Sequence, residues 1–256
     1  MNAKAADPMS TDFSTEELAL LARFAEVTPL FGLAEPELDD AGWNAVFNGL
    51  MARGVIEPRT GGDGELGVGF AEGYAPLLGV ALLATRATSL RFRQTDQQAV
   101  LTFLREPEVA VLHELTDQGL HRFSPIAADS VPARVAELVR GALSPADDDA
   151  GSVGQLVRVT TDDYLQALDA LDASGIDVAL QALPAAADYL RAVDAARGSI
   201  SVADWILQDD GRLVGEVLSL LDGGGGLWVA DQDELSVVLE PAARGDVLAR
   251  VAAVVD

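Results

Sequence analysis

The sequence predicts an α/β (α+β) protein. The expected arrangement is a duplicated unit with quasi-twofold symmetry, its antiparallel sheet covered on one face by helices and accompanied by a helical bundle. Three observations carry this. Apolar residues recur at helical spacing through residues 14–86 and then at period two through 89–125. A turn-rich acidic stretch, SPADDDAGSVG at 144–154, divides the chain. Behind it the order helix, helix, four strands, helix returns. The organisation is then a disordered lead-in over 1–12, a first repeat over 13–143, a linker over 144–154 and a second repeat over 155–256, together one compact domain.

The first helix opens at Ser14, with Glu17 three residues on as a capping box and Phe13 and Leu18 at the staple positions. Leu18, Leu21, Ala22 and Ala25 continue it. A second helix follows Asp39 and Asp40, with Trp43, Val46, Phe47, Leu50 and Met51 on one face and Gly54 as a left-handed stop. TGGDG at 60–64 makes a turn, and a third helix runs over 76–86, with Pro76 suited to its first turn. Strands then occupy 89–94, 100–105, 109–115 and 120–125, with a turn at 117–119, and a helix covers 131–143.

In the second half, Tyr164, Ala167, Leu168 and Leu171 take the places of the second helix of the first half, and Gly175 takes that of Gly54. A helix over 184–197 precedes strands at 199–207, 212–221, 227–230 and 235–239, and a helix over 244–254 closes the chain. Alternation turns Leu90, Phe92, Ile200 and Val202 toward the core and Arg91, Arg93, Ala203 and Trp205 toward an open face.

Composition bounds the function. Among 256 residues there are 41 acidic and 17 basic ones, a net charge of −24. Such a surface opposes nucleic acid and anionic membranes, whose recognition rests on Lys and Arg. With 49% hydrophobic residues the chain is nevertheless globular. It has no Cys, which removes thiolate chemistry and Cys-based metal sites. Its longest apolar run, 75–85, falls well short of the roughly 20 residues that span a bilayer. No signal peptide is visible, and a cytoplasmic location is expected.

No catalytic pattern emerges, and neither an enzyme nor a cofactor is expected. His113 and His121 flank one turn but make no HExxH pair, and read as structural histidines. The four glycines at 223–226 lack the Lys of a phosphate-binding loop and precede a strand, so they read as a hairpin connection. Asp147–Asp149, Asp209–Asp210, Asp231, Asp233 and Glu234 read as solvated surface. Residues 14–69 suggest helix, helix and a glycine-rich wing (54–70), but the second helix offers only Arg53 to a phosphate backbone, so the wing reads as structural. What remains is interaction surface, with Trp205 and Trp228 as either anchors or core.

Four stretches carry a family resemblance: FSTEELALLARF (13–24), LMARGVIE (50–57), the strand run after Arg86, and LSLLDGGGGLWVADQDELSVVLEPAARGDVLARVAAV (218–254). In this order, over nearly the full length, the chain resembles the EspG family of actinobacterial type VII (ESX) secretion-associated proteins. It departs at Leu221–Asp222, which four glycines and no Arg follow. The resemblance implies a cytosolic chaperone that covers the exposed apolar tip of helical PE–PPE heterodimers and keeps them soluble. The residues expected at the partner surface are Arg91, Arg93, Trp205 and Leu207, from the alternation, with Gln94 and Gln97 in an adjoining recognition loop. The alternative is an acidic immunity protein that neutralises a basic toxin. A chain that dimerises through its open sheet is a further reading.

Overall fold

The computed structural model describes residues 11–60, 66–94, 97–143, 155–196, 198–223, 226–232 and 235–255. The divider at 144–154 lies outside them. The chain forms two compact units. One takes in the chain up to Ala87 together with Leu101–Asp129, the other Thr88–Val100 with Ser130–Asp256.

The first unit contains β1 (Thr11–Phe13), α1 (Thr15–Ala25), α2 (Asp40–Ala52), β2 (Ile56–Thr60), β3 (Leu66–Phe70), α3 (Ala75–Leu83), most of β5 (Gln97–Arg105), β6 (Val109–Leu115) and β7 (His121–Ala127). Its main ladder runs β1-β7-β6-β5, antiparallel throughout, and β2 and β3 form a separate ribbon. Ser14 caps α1 as expected: its hydroxyl accepts the Glu17 N–H while the Glu17 carboxylate accepts the Ser14 N–H. Gly54, at φ 66°, ends α2 by donating to the Met51 carbonyl, and Val55 donates to that of Leu50. Phe13, Leu18, Leu21, Leu50, Leu78 and Phe123 meet in one buried cluster. The register puts Phe13, Phe123, Val111 and Leu104 on the same face of the ladder, so α1, α2 and α3 share that face.

Thr11 and Asp12 are not a lead-in. They form β1 with Phe13, paired to Phe123, Arg122 and His121. Asp12 accepts two hydrogen bonds from Arg122, at 2.8 and 3.0 Å, which hold its carboxyl below the usual carboxylate range. Arg53 donates to the Asp12 carbonyl and pairs with Glu17. These partners lie 110 and 41 positions along the chain, so local composition carries no trace of them.

The second unit contains most of β4 (Arg86–Gln94), α4 (Val131–Ala142), β8 (Val157–Thr160), α5 (Thr161–Ser174), α6 (Ile176–Ala182), a 3-10 turn (Pro184–Ala186), α7 (Ala187–Asp194), β9 (Gly198–Leu207), β10 (Leu213–Gly223), β11 (Gly226–Gln232), β12 (Ser236–Ala242) and α8 (Arg244–Val255). Its strands follow the order β4-β9-β10-β11-β12-β8. The strand order along the chain repeats that of the first half: a short strand opens each half and pairs, antiparallel, with the last strand of a four-stranded run. In this unit the sequence reading passes over β8 and α6. Pro184 opens a 3-10 turn, and the helix expected over 184–197 spans only Ala187–Asp194. Across the glycine run Gly223 pairs with Gly226, and 224–225 lie outside the described residues.

Helix packing uses both faces of this sheet. Leu221, Trp228, Ala230, Val237 and Leu239 share one face by register and pack with Tyr164, Ala167, Tyr189 and Leu190 of the α5–α7 bundle. There the Tyr164 and Tyr189 hydroxyls meet at 3.0 Å, and burial pushes both phenols above their ordinary range. On the alternate face Ile200, Val202, Leu218, Leu220 and Val229 are buried as well, and α8 packs on β9 and β10. Arg244 at the start of α8 donates to the Arg140 and Leu143 carbonyls, closing the C-terminal end of α4.

Replacing Ser14 by Ala removes the acceptor of the capping box. It is expected to lower unfolding free energy by about 1 kcal/mol in urea titration, with the slope unchanged.

Candidate functional site

Alternation along β4 places Leu90 in the core and leaves Arg91 and Arg93 exposed, as the period-two reading expects. Gln94 ends β4 and Gln97 begins β5, and the side chains of both lie outside the described residues. Arg93 lines a cleft of about 420 Å³ with Leu171 and Asp172 of α5, Asp194 of α7, Ser199 of β9 and Leu221 of β10. The cleft therefore belongs to the bundle side of the sheet. Its lining is mostly polar and brings together one guanidinium and two carboxylates, an arrangement suited to a polar or zwitterionic contact and not to a polyanion.

The face carrying Arg93 also carries Ser199, Ser201, Ala203, Trp205 and Leu207, because each pairs with a β10 residue of the Leu221 parity. It is not open along its length: Ala203 is 8% exposed and buried with its neighbours. Toward the β9–β10 turn the cover ends. Trp205 and Leu207 are half-buried, and Ile206, Leu213 and Val214 are 43, 53 and 50% exposed. This hairpin end is thus apolar on both faces.

The hairpin is well determined locally. Gln208 donates to the Arg212 carbonyl at 2.8 Å, Gly211 takes φ 80°, and the Arg212 guanidinium donates to Asp210 at 2.7 Å. Opposite Trp205 stands Gly215. A Cβ there would strike both the indole ring and the Asp204 carbonyl, so the glycine is what lets the tryptophan lie flat across the neighbouring strand. Sequence reasoning named Trp205 but missed Leu213, Val214 and Gly215, which sit in the predicted strand over 212–221. The signal was available in the pairing of two apolar strand ends across Asp209–Asp210–Gly211.

Trp228 resolves to the core. It is 3% exposed and its ring meets Tyr189 edge-on. The two histidines meet each other in the core of the first unit, 2.9 Å apart. Among the described residues no group of three His, Asp or Glu side chains could hold a metal ion. Among the described residues, too, no helix is long and apolar enough to cross a membrane.

Compared with solved structures, the chain is similar to the Mycobacterium tuberculosis type VII secretion system chaperone EspG5, solved in complex with a PE25–PPE41 dimer. The TM-score is 0.62 at 15% sequence identity, over 97% of this chain and 96% of that one. No protein-family model matches the sequence, and no curated protein does. The chain therefore has an EspG-like fold, the fold that the order of its motifs implied.

Gly215→Ala is expected to force the indole of Trp205 aside. The loss is about 1–3 kcal/mol of stability, read by thermal unfolding, together with a shift in tryptophan emission.

Proposed function

We propose that this protein is a chaperone that binds a helical secretion substrate of the PE–PPE heterodimer type and keeps it soluble for type VII secretion, and that it is neither an enzyme nor a cofactor carrier. The observation that carries the reading is full-length similarity in fold to a chaperone solved with such a dimer. The surface chemistry supports it. An exposed apolar helical tip aggregates unless covered. Trp205, Leu207, Leu213 and Val214 offer an apolar contact of matching character, with Arg91 and Arg93 on the same face as Trp205. The net charge of −24 keeps such a surface soluble in the cytoplasm, and opposes self-association and binding to nucleic acid or membranes.

The charge also favours a second reading, an immunity-type protein that covers a basic toxin. The two differ in salt response. Contacts driven by net charge form more slowly as ionic strength rises, whereas burial of apolar surface is largely salt-tolerant.

The test is retention of purified PE–PPE heterodimers from the source organism on the immobilised chain, at low and high salt. The expected result is binding that survives high salt. It is expected to weaken at least about tenfold in Leu213→Asp/Val214→Asp, with thermal stability kept, since both side chains are half exposed. No retention of the heterodimer, with a basic protein captured from lysate at low salt and lost as salt rises, would establish the immunity reading. A homodimer in light scattering that the same double substitution disrupts would reassign the patch to self-association.

A further inference from the structure

His113 and His121 are the chain's only histidines, and both are buried. His113 stands on β6 and His121 on β7, on the face that receives α1. Their rings stack with centroids 5.1 Å apart, and His113 Nε2 lies 2.9 Å from His121 Nδ1. His121 Nε2 reaches Thr15 Oγ1, in the first turn of α1, at 3.2 Å. Phe31, from the connection between α1 and α2, covers the pair with its ring 4.5 Å from His113 and 6.0 Å from His121. His113 Nδ1 is buried and, among the described residues, has no hydrogen-bond partner.

Among the described residues the surroundings offer the pair no counter-charge. From β1 the residue facing the pair is Phe13, and Asp12 on the other face is committed to Arg122. Glu114 and Arg122 alternate away from the pair on β6 and β7 and face each other. Across β5, Thr102 lies opposite His113. In α1, Glu17 is engaged by Ser14 and Arg53, and Glu16 is also hydrogen-bonded to Ser14. In the connection, Glu35 pairs with Arg23, and Glu26, Glu37 and Asp39 are exposed to solvent. Helix α3 has no titratable side chain.

An N–H···N bond needs one proton between its two nitrogens. A pair with both rings charged loses that bond and sets two like charges together among phenylalanines. We propose that the His113–His121 pair is an acid-sensitive latch: protonating both rings releases the layer made of β1, the start of α1 and the Phe31 connection from β6 and β7. Burial, with the neighbouring His121, already depresses His113 to about 3, and burial depresses His121. For a base whose folded pKa is lowered, the stabilisation is complete above the free value near 6.5 and is lost as pH falls below it.

Two histidines neutral in the closed state and free to titrate near 6.5 in the open one raise the open population about 100-fold between pH 7.5 and 5.5, and one raises it about 10-fold. Amide hydrogen exchange of the full chain reads this directly, once corrected for the intrinsic pH dependence of exchange. Protection over residues 13–31 is expected to fall by 10- to 100-fold, while β10 and β11 change little. The slope should drop about tenfold in His113→Phe and again in His113→Phe/His121→Gln. Should the double substitution fold poorly, the imidazole proton resonances of the unmodified chain decide the matter. Resonances unchanged from pH 7.5 to 5.5 while exchange rises support the latch. Ordinary titration near pH 6.5 without opening overturns it, as does a pH slope that persists in the double variant.

Discussion

The structure depends on the two-residue period of its strands. In the second unit two separate layers of helix need an apolar surface, and a strand has only two faces to give. β10 and β11 must therefore be apolar on both faces where the two layers overlap, as in Leu218, Leu220 and Leu221, or Trp228, Val229 and Ala230. Once Leu221 faces Trp228 and Leu220 faces Val229, every other side chain of β9 and β12 is assigned to a layer. A slip of one residue would exchange the two layers wholesale, and no helix could accept the result. The bundle, the cleft beside Arg93 and the bare hairpin end are where this one constraint is satisfied, partly satisfied and left unsatisfied.

That constraint also explains what could be read in advance. Signals confined to a few neighbours were legible: the capping box at Ser14 and Glu17, the left-handed stop at Gly54, the strand at 109–115 and the aspartate-glycine turn at 209–211. Elements held by distant partners were not. β1 exists because Arg122 and Arg53 hold Asp12, and β8 because Val157 and Val159 meet Leu239 and Val237. α6 is seven residues long and starts directly after Gly175, too short for periodicity to distinguish it from a loop.

The candidate surface was half legible. Alternation alone separates Arg91 and Arg93 from Leu90. It cannot say which face a second helical layer covers, so Ala203 was expected in the open and is buried. Gly215 shows the converse: a glycine inside an apolar strand has meaning only when the residue opposite it is known, and that residue is a tryptophan. The acidic composition described the surface as a whole and hid the apolar hairpin end. A net charge of −24 averages over the whole surface, and a few uncovered apolar side chains at one turn leave no mark on it.

The strands that open each half are three and four residues long, and each carries a charged residue inside it, Asp12 between Thr11 and Phe13 and Arg158 between Val157 and Val159. A strand this brief offers too few free backbone groups to template another chain. Stub-like margins with a charge at the centre therefore keep the sheet from growing by one more strand: an extended segment of another molecule finds no template there.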